Sequence, residues 1–369
     1  MFARLSFVLF LLQWAAVEGG SRAFRSRSRK QTAAGGVGVF ELPLRSVPSN
    51  AHYVGEVSVG TPPKNFLVNV DTGSLELWLP AYNCQGEGYF TERLCANRSL
   101  LYNPNESQTG KRTTGNKKRG QRLRESTPVR GHYFEDVFAF GNASRSLQLK
   151  KPMVFGAADL LNGLEHGLLG LGLSTRFDQR KPLVEQAVAE GLIARPFFSL
   201  FFKQTPPGTH GEDGGMLTLG DEDRKNCGPV LGWAPAFSYG GPWQVRASGL
   251  SVGRFVHRRE AIAVFDSGSP LIYLPPDVLD GVVRELSAFF RGHDFVVDCR
   301  RKFALKITIA GRTYAIGSDA LTRPIYDNHC VLYVGRGEDQ WVLGVPFQRA
   351  VCTVHDFQQR RVGFALAKP

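Results

Sequence analysis

Val70-Asp71-Thr72-Gly73-Ser74-Leu75-Glu76-Leu77-Trp78-Leu79-Pro80 has a partner nearly two hundred residues downstream, Phe265-Asp266-Ser267-Gly268-Ser269-Pro270-Leu271-Ile272-Tyr273-Leu274-Pro275. Each copy brings an apolar strand into Asp-Thr/Ser-Gly-Ser and leaves through an aliphatic residue, an aromatic, Leu and Pro at the same offsets. An isolated Asp-Ser-Gly is a common turn. Two copies with matched flanks over eleven positions imply a duplicated lobe. A second echo follows each copy: Gly167-Leu168-Leu169-Gly170 and Trp341-Val342-Leu343-Gly344.

A lobe carried twice, with one carboxylate per copy, brings two Asp side chains together where the lobes meet. Two close carboxylates cannot both ionise cheaply, so they share a proton and titrate as a pair. One can act as general base on a water while the other, protonated, polarises a carbonyl. Gly73 and Gly268 allow a close backbone approach. The hydroxyls of Thr72, Ser74, Ser267 and Ser269 are placed to hold both carboxylates by hydrogen bonds across the loops.

The surrounding sequence is strand-rich. Residues 53–59 alternate, 60–63 turn, and 66–70 run back. Comparable runs occur at 134–140, 197–202, 216–219, 261–265, 306–309 and 331–334. Helices are expected over 182–190 and over 276–290, the latter with an apolar stripe at Leu279, Val282, Val283, Leu286 and Phe290. With 41 Gly and 21 Pro in 369 residues, a turn-rich, all-β protein with a few short helices is expected.

The net charge of +12 is not spread over the chain. Of 45 basic and 33 acidic residues, thirteen basic and one acidic fall within 21–30 and 111–130, which leaves 32 of each elsewhere. A neutral body with two basic stretches argues against nucleic acid as a partner. Residues 1–20 read as a secretory signal: Arg4, an apolar run too short to span a bilayer, then small residues. No membrane association is expected after its removal. Residues 21–49 read as a short basic leader or pro-segment, 50–208 as an N-terminal β lobe and 209–369 as a C-terminal one. Six cysteines without C-x-x-C favour disulfides over metal or redox chemistry. Sequons at Asn97, Asn105 and Asn142 are glycosylation candidates for the same compartment. Eight scattered His offer no metal spacing, and no cofactor is expected. Gly249-Leu250-Ser251-Val252-Gly253 matches the nucleophile elbow of serine hydrolases, but its surroundings read as a hairpin rather than a strand-to-helix turn.

On Asp71–Pro80 and Asp266–Pro275 the chain resembles the pepsin-like aspartic endopeptidases, over about residues 51–368. Leu168-Leu169-Gly170 and Val342-Leu343-Gly344 resemble the family's segments that wrap each catalytic loop. Residues 230–235, Trp243-Gln244 and 361–365 are also similar, and residues 226–230 resemble nematode members. The resemblance implies a bilobal fold with pseudo-twofold-related β lobes, with Asp71 and Asp266 catalytic and Trp78 behind the flap. It also implies a peptide or protein substrate, a monomer, and a secreted or lysosomal place. For the cysteines it implies Cys84–Cys95 and Cys299–Cys330, which leaves Cys227 with Cys352. Two features depart from the family. Arg124 occupies the position of the flap tyrosine, where it would favour ionised carboxylates and acidic substrates; the alternative is a solvated loop. No Lys lies between Lys30 and Lys64 to pair with the dyad from a pro-segment. The rival to an enzyme is an inactive, protease-like peptide-binding protein that keeps the cleft without turnover.

Overall fold

In a computed structural model the described residues are 38–47, 51–85, 89–113, 119–122, 128–160, 165–174, 181–206, 211, 213–238 and 240–368. All belong to one compact unit, Val37–Pro369. The expected signal, the basic residues 22–30 and Arg124 lie outside the described residues.

The repeat in the sequence is a repeat in topology. Strand Lys64–Asp71 pairs in parallel with Gly167–Gly170, which is also antiparallel to Leu77–Gln85, with Leu169 opposite Leu77 and Gly170 opposite Asp71. In the second half, Ala261–Phe265 pairs in parallel with Trp341–Leu343, which is antiparallel to Ile272–Leu274, with Leu343 opposite Ile272. Each Asp loop is therefore flanked by two strands with a third threaded between them. The threading leaves no room beside the third strand's terminal residue. A Cβ on Gly170 would lie 2.4 Å from the Glu76 nitrogen, and one on Gly344 would lie 2.4 Å from the Ser269 oxygen, so only glycine fits at either place.

The two halves are joined by a shared sheet that runs Gly232–Pro235, Arg361–Leu366, Val351–Asp356, Phe197–Phe202, Asp213–Leu219, Phe40–Ser46 and Tyr53–Val59. Phe197–Phe202 and Val351–Asp356, in the middle of this sheet, are buried on nearly every residue, and the first reads as an almost unbroken apolar run, whereas Phe40–Ser46 alternates buried and exposed residues. Phe40–Ser46 lies inside the stretch expected as leader. It pairs with Asp213–Leu219 from Phe40–Leu219 to Arg45–Asp213, and with Tyr53–Val59 at its end. Phe198, Trp243, Phe265, Phe347 and Phe364 fill the core between the halves with at most 2% exposure. The result is an all-β, bilobal fold with few short helices.

The helix expected over 182–190 is Leu183–Ala189. That expected over 276–290 is Pro276–Leu286, shorter by four residues. Ser287 takes a left-handed conformation (φ 50°) and stops it, while Phe289–Arg291 becomes a strand paired with Asp294–Asp298. Phe290 thus leaves the apolar stripe and stands 63% exposed, whereas Leu279, Val282 and Leu286 are buried. The Gly249–Gly253 motif lies in a hairpin of Trp243–Val252 with Phe255–His257, not at a strand-to-helix turn.

Disulfides join Cys84 to Cys95, Cys227 to Cys352 and Cys299 to Cys330. Asn97 and Asn105 are exposed, whereas Asn142 is half-buried and its Nδ2 donates to Glu56 Oε2 at 2.6 Å. Among the described residues no helix is long and apolar enough to cross a membrane, and no three His, Cys, Asp or Glu side chains cluster as metal ligands.

Candidate active site

Asp71 closes strand Lys64–Asp71 and Asp266 follows strand Ala261–Phe265, so the two loops arrive at the junction of the halves from opposite sides. Their proximity is measured by the glycines between them. A Cβ on Gly73 would lie 2.9 Å from Asp266 Oδ1 and 3.1 Å from Asp71 Oδ1. One on Gly268 would lie 3.0 Å from Asp71 Oδ1 and 3.2 Å from Asp266 Oδ1. Each glycine thus leaves open the space that both carboxylates share.

The residues after the aspartates lock the loops reciprocally. Thr72 Oγ1 donates to the Phe265 carbonyl at 2.8 Å and accepts from the Ser267 N–H at 3.0 Å. Ser267 Oγ donates to the Val70 carbonyl at 2.7 Å and accepts from the Thr72 N–H at 3.0 Å. Both side chains are buried, so each hydroxyl satisfies backbone groups that would otherwise be orphaned. The outer hydroxyls differ from each other. Ser269 Oγ donates to Asp266 Oδ2 at 2.5 Å, while Ser74 Oγ, also buried, interacts more weakly with the Asp71 carboxyl.

The asymmetry extends to the carboxylates. Asp266 receives the Ser269 hydroxyl and the Gly268 N–H (2.9 Å) and is half-buried. Asp71 is buried and receives the Gly73 N–H at 2.8 Å. Burial first, and then the neighbouring Asp266 carboxylate, hold Asp71 well above the ordinary carboxylate pKa. The pair therefore retains a shared proton more readily than isolated carboxyls would, and Asp266 accepts from two donors.

The wrapping segments complete the frame. The Leu171 N–H donates to the Asp71 carbonyl at 2.8 Å and the Gly172 N–H to the Ser74 carbonyl at 2.7 Å; in the second half, the Val345 N–H donates to the Ser269 carbonyl at 2.8 Å. Trp243 Nε1 ties the halves together by donating to the Leu171 carbonyl at 2.8 Å.

Trp78 is buried beside Tyr133, with ring centroids 5.5 Å apart, and its Nε1 has no hydrogen-bond partner among the described residues. Tyr133 lies on strand Pro128–Asp136, and its hydroxyl donates to Glu76 Oε2 at 2.7 Å. Sequence reasoning does not single out this pair, although a signal exists. Glu76 is the one charged residue among the offsets at which the copies otherwise carry apolar side chains, and its counterpart is Leu271. Arg124 lies outside the described residues, so the site is built here without it.

Residues 52–367 match the family model described as eukaryotic aspartyl protease. The chain is 27% identical to aspartic protease 6 of Caenorhabditis elegans, over 87% of this chain and 85% of that protein. It is 25% identical to aspartic protease 2 of Necator americanus, over 87% and 84%, and 28% identical to pepsin B of Canis lupus familiaris, over 86% and 82%.

Proposed function

The chain belongs to the eukaryotic aspartyl protease family, as an aspartic-type endopeptidase, and on that footing we propose that Asp71 and Asp266 hydrolyse peptide bonds through one activated water. The observation that carries this reading is the meeting of the two carboxylates over Gly73 and Gly268. Asp266 takes a proton from the water, whose oxygen attacks the peptide carbonyl carbon. Asp71 gives its proton to the carbonyl oxygen, forming a neutral gem-diol. Asp266 then returns its proton to the peptide nitrogen and Asp71 recovers one from a diol hydroxyl. The C–N bond breaks to leave a carboxylic acid and an amine, and both side chains regain their starting states.

Thr72 and Ser267 position the two loops, and Gly73, Gly268 and Ser269 hold the charges; Ser74 packs beside Asp71. Peptides and proteins are the substrates that fit a water-activating dyad in this family. A secreted or lysosomal place accords with the expected signal, the three disulfides and the exposed sequons at Asn97 and Asn105.

Purified processed protein should cleave denatured globin in an assay from about pH 3 to 7, and a hydroxyl-bearing transition-state analogue should inhibit it. Tight analogue binding without cleavage would replace this reading with that of a peptide-binding protein.

A further inference from the structure

Leu171 is held at both of its backbone groups, by opposite halves of the molecule. Its N–H donates to the Asp71 carbonyl at 2.8 Å, and its own carbonyl accepts from Trp243 Nε1 at 2.8 Å. Trp243 opens the strand Trp243–Val252 and lies directly opposite Phe265, the residue before Asp266. The Phe265 carbonyl in turn accepts from Thr72 Oγ1. A single indole thus stands beside one catalytic strand and reaches the residue that grips the other aspartate.

The grip is one-sided. The Asp266 carbonyl accepts from the Ser269 N–H of its own loop at 3.1 Å, so the second aspartate is fixed from within. In the first half Tyr53 stands next to the Val54–Asn69 pair, beside the strand that ends at Asp71, but its hydroxyl goes to the Lys203 carbonyl at 2.9 Å. Trp243, Leu171 and Phe265 are all buried, and the rings of His355 and Phe357 pack edge-on against the indole at 4.8 and 4.9 Å. Water therefore has no access to replace the indole N–H at the Leu171 carbonyl, which makes the bond costly to lose. The Leu173 N–H also donates to the Gly241 carbonyl, at 2.8 Å, so residues 171–173 are registered on residues 241–243 at two points.

On the reading of Asp71 and Asp266 as a water-activating pair, we propose that Trp243 is a positioning residue whose indole N–H, acting through Leu171, sets how closely the Asp71 loop approaches the Asp266 loop. Without that bond the buried Leu171 carbonyl loses its donor, and the segment that holds Asp71 is free to draw back from the second half. Separation weakens the mutual repulsion of the carboxylates and admits water beside Asp71. Both changes lower its affinity for a proton, because burial and the Asp266 carboxylate are what raise it. Of the titratable groups among the described residues, each aspartate faces the other and the indole faces His355.

The test follows both carboxyl groups against pH by NMR of the intact protein labelled at the aspartate carboxyls, with Asp71→Asn and Asp266→Asn assigning the signals. Trp243→Phe keeps an aromatic ring in place but has no N–H, and its higher titration midpoint should fall by about a factor of ten in proton affinity. Phe202→Leu, made in the same shared sheet but against Tyr53, should lower the melting temperature and leave both midpoints in place. A Trp243→Phe titration that superimposes on the parent, or an equal displacement in Phe202→Leu, would overturn the proposal. Should Trp243→Phe not fold, the parent carries a second readout. Its Trp243 indole N–H signal, identified through contacts with His355 and Phe357, should shift as the dyad titrates. Asp71→Asn should remove that shift and leave any due to His355; a signal that stays still, or moves identically in Asp71→Asn, refutes the brace. Neither readout uses cleavage. A protein that cuts no globin would sink the hydrolytic reading alone, and unmoved midpoints in one that cuts it would sink the brace alone.

Discussion

The Tyr133 hydroxyl donates to Glu76 Oε2 at 2.7 Å, which ties strand Pro128–Asp136 to the loop that carries Asp71. A hydrogen bond to a carboxylate contributes about 1.5–3 kcal/mol when its surroundings are partly buried. Tyr133→Phe should therefore lower stability by about 1–2 kcal/mol in denaturant unfolding and reduce turnover more than it alters KM. Glu76→Leu places the residue of the second copy in the first. Combined with Tyr133→Phe it should cost less than the two single changes added together, because the second replacement removes a partner already lost. Strict additivity would show that the contact is idle.

The Thr72–Ser267 lock should tolerate exchange of its two residue types and nothing else. Thr72→Ser and Ser267→Thr keep a hydroxyl that bridges the loops, and should retain most activity. Thr72→Val leaves the Phe265 carbonyl and the Ser267 N–H without their present partner in a buried place. A loss of about 2–4 kcal/mol is expected, the cost of two stranded backbone groups. Thermal melts of the four proteins, compared at one pH, check this.

Asp71→Asn should abolish cleavage while the protein remains folded. It should also change how stability depends on pH. The folded-state pKa of Asp71 is raised by burial and by Asp266, so its contribution is full below the unfolded carboxylate value. That contribution is lost as pH rises toward the raised one. The asparagine has no proton to lose, so its advantage over the parent should grow from about pH 4 upward. Melting both proteins over that range tests the sign; parallel curves would contradict it.

His355 should make the parent sensitive to acid. Its ring is fully buried, stacked on Phe198 at 4.3 Å and near Trp243, with Nε2 3.1 Å from Thr353 Oγ1. Burial lowers its pKa to about 3. A depressed folded-state value means stability that is present above the unfolded value, near 6.5, and lost as pH falls toward 3. One unbalanced proton over that window is worth of order 4 kcal/mol. His355→Phe should remove one proton's worth of slope from the plot of unfolding free energy against pH between about 6 and 3. An unchanged slope would show that the imidazole is charged in the folded state.

Much of this protein is legible in one dimension because its site is written twice. The match of residues 70–80 with 265–275 announces two lobes and two carboxylates. The apolar strands betray themselves because burial on both faces demands unbroken hydrophobic runs, as in Phe197–Phe202 and Ala261–Phe265. The end of the helix at Leu286 is not legible in that way. Phe290 continues the helical period, and only the left-handed Ser287 and the pairing of Phe289–Arg291 with Asp294–Asp298 turn it outward. Phe40–Ser46 lies in the stretch expected as leader, and its pairing with residues 213–219 is a long-range contact that the local sequence does not announce.

The chain alone determined that there would be two acids in matched loops, because residue type and spacing are local properties. How differently the two acids are surrounded was decided by folding. Asp71 and Asp266 have matched neighbours in sequence, but one is buried with the Gly73 N–H donating to it and the other stands half open beneath the Ser269 hydroxyl. Desolvation and hydrogen-bond number depend on what the rest of the molecule packs around a side chain, and residues far apart in sequence supply that packing.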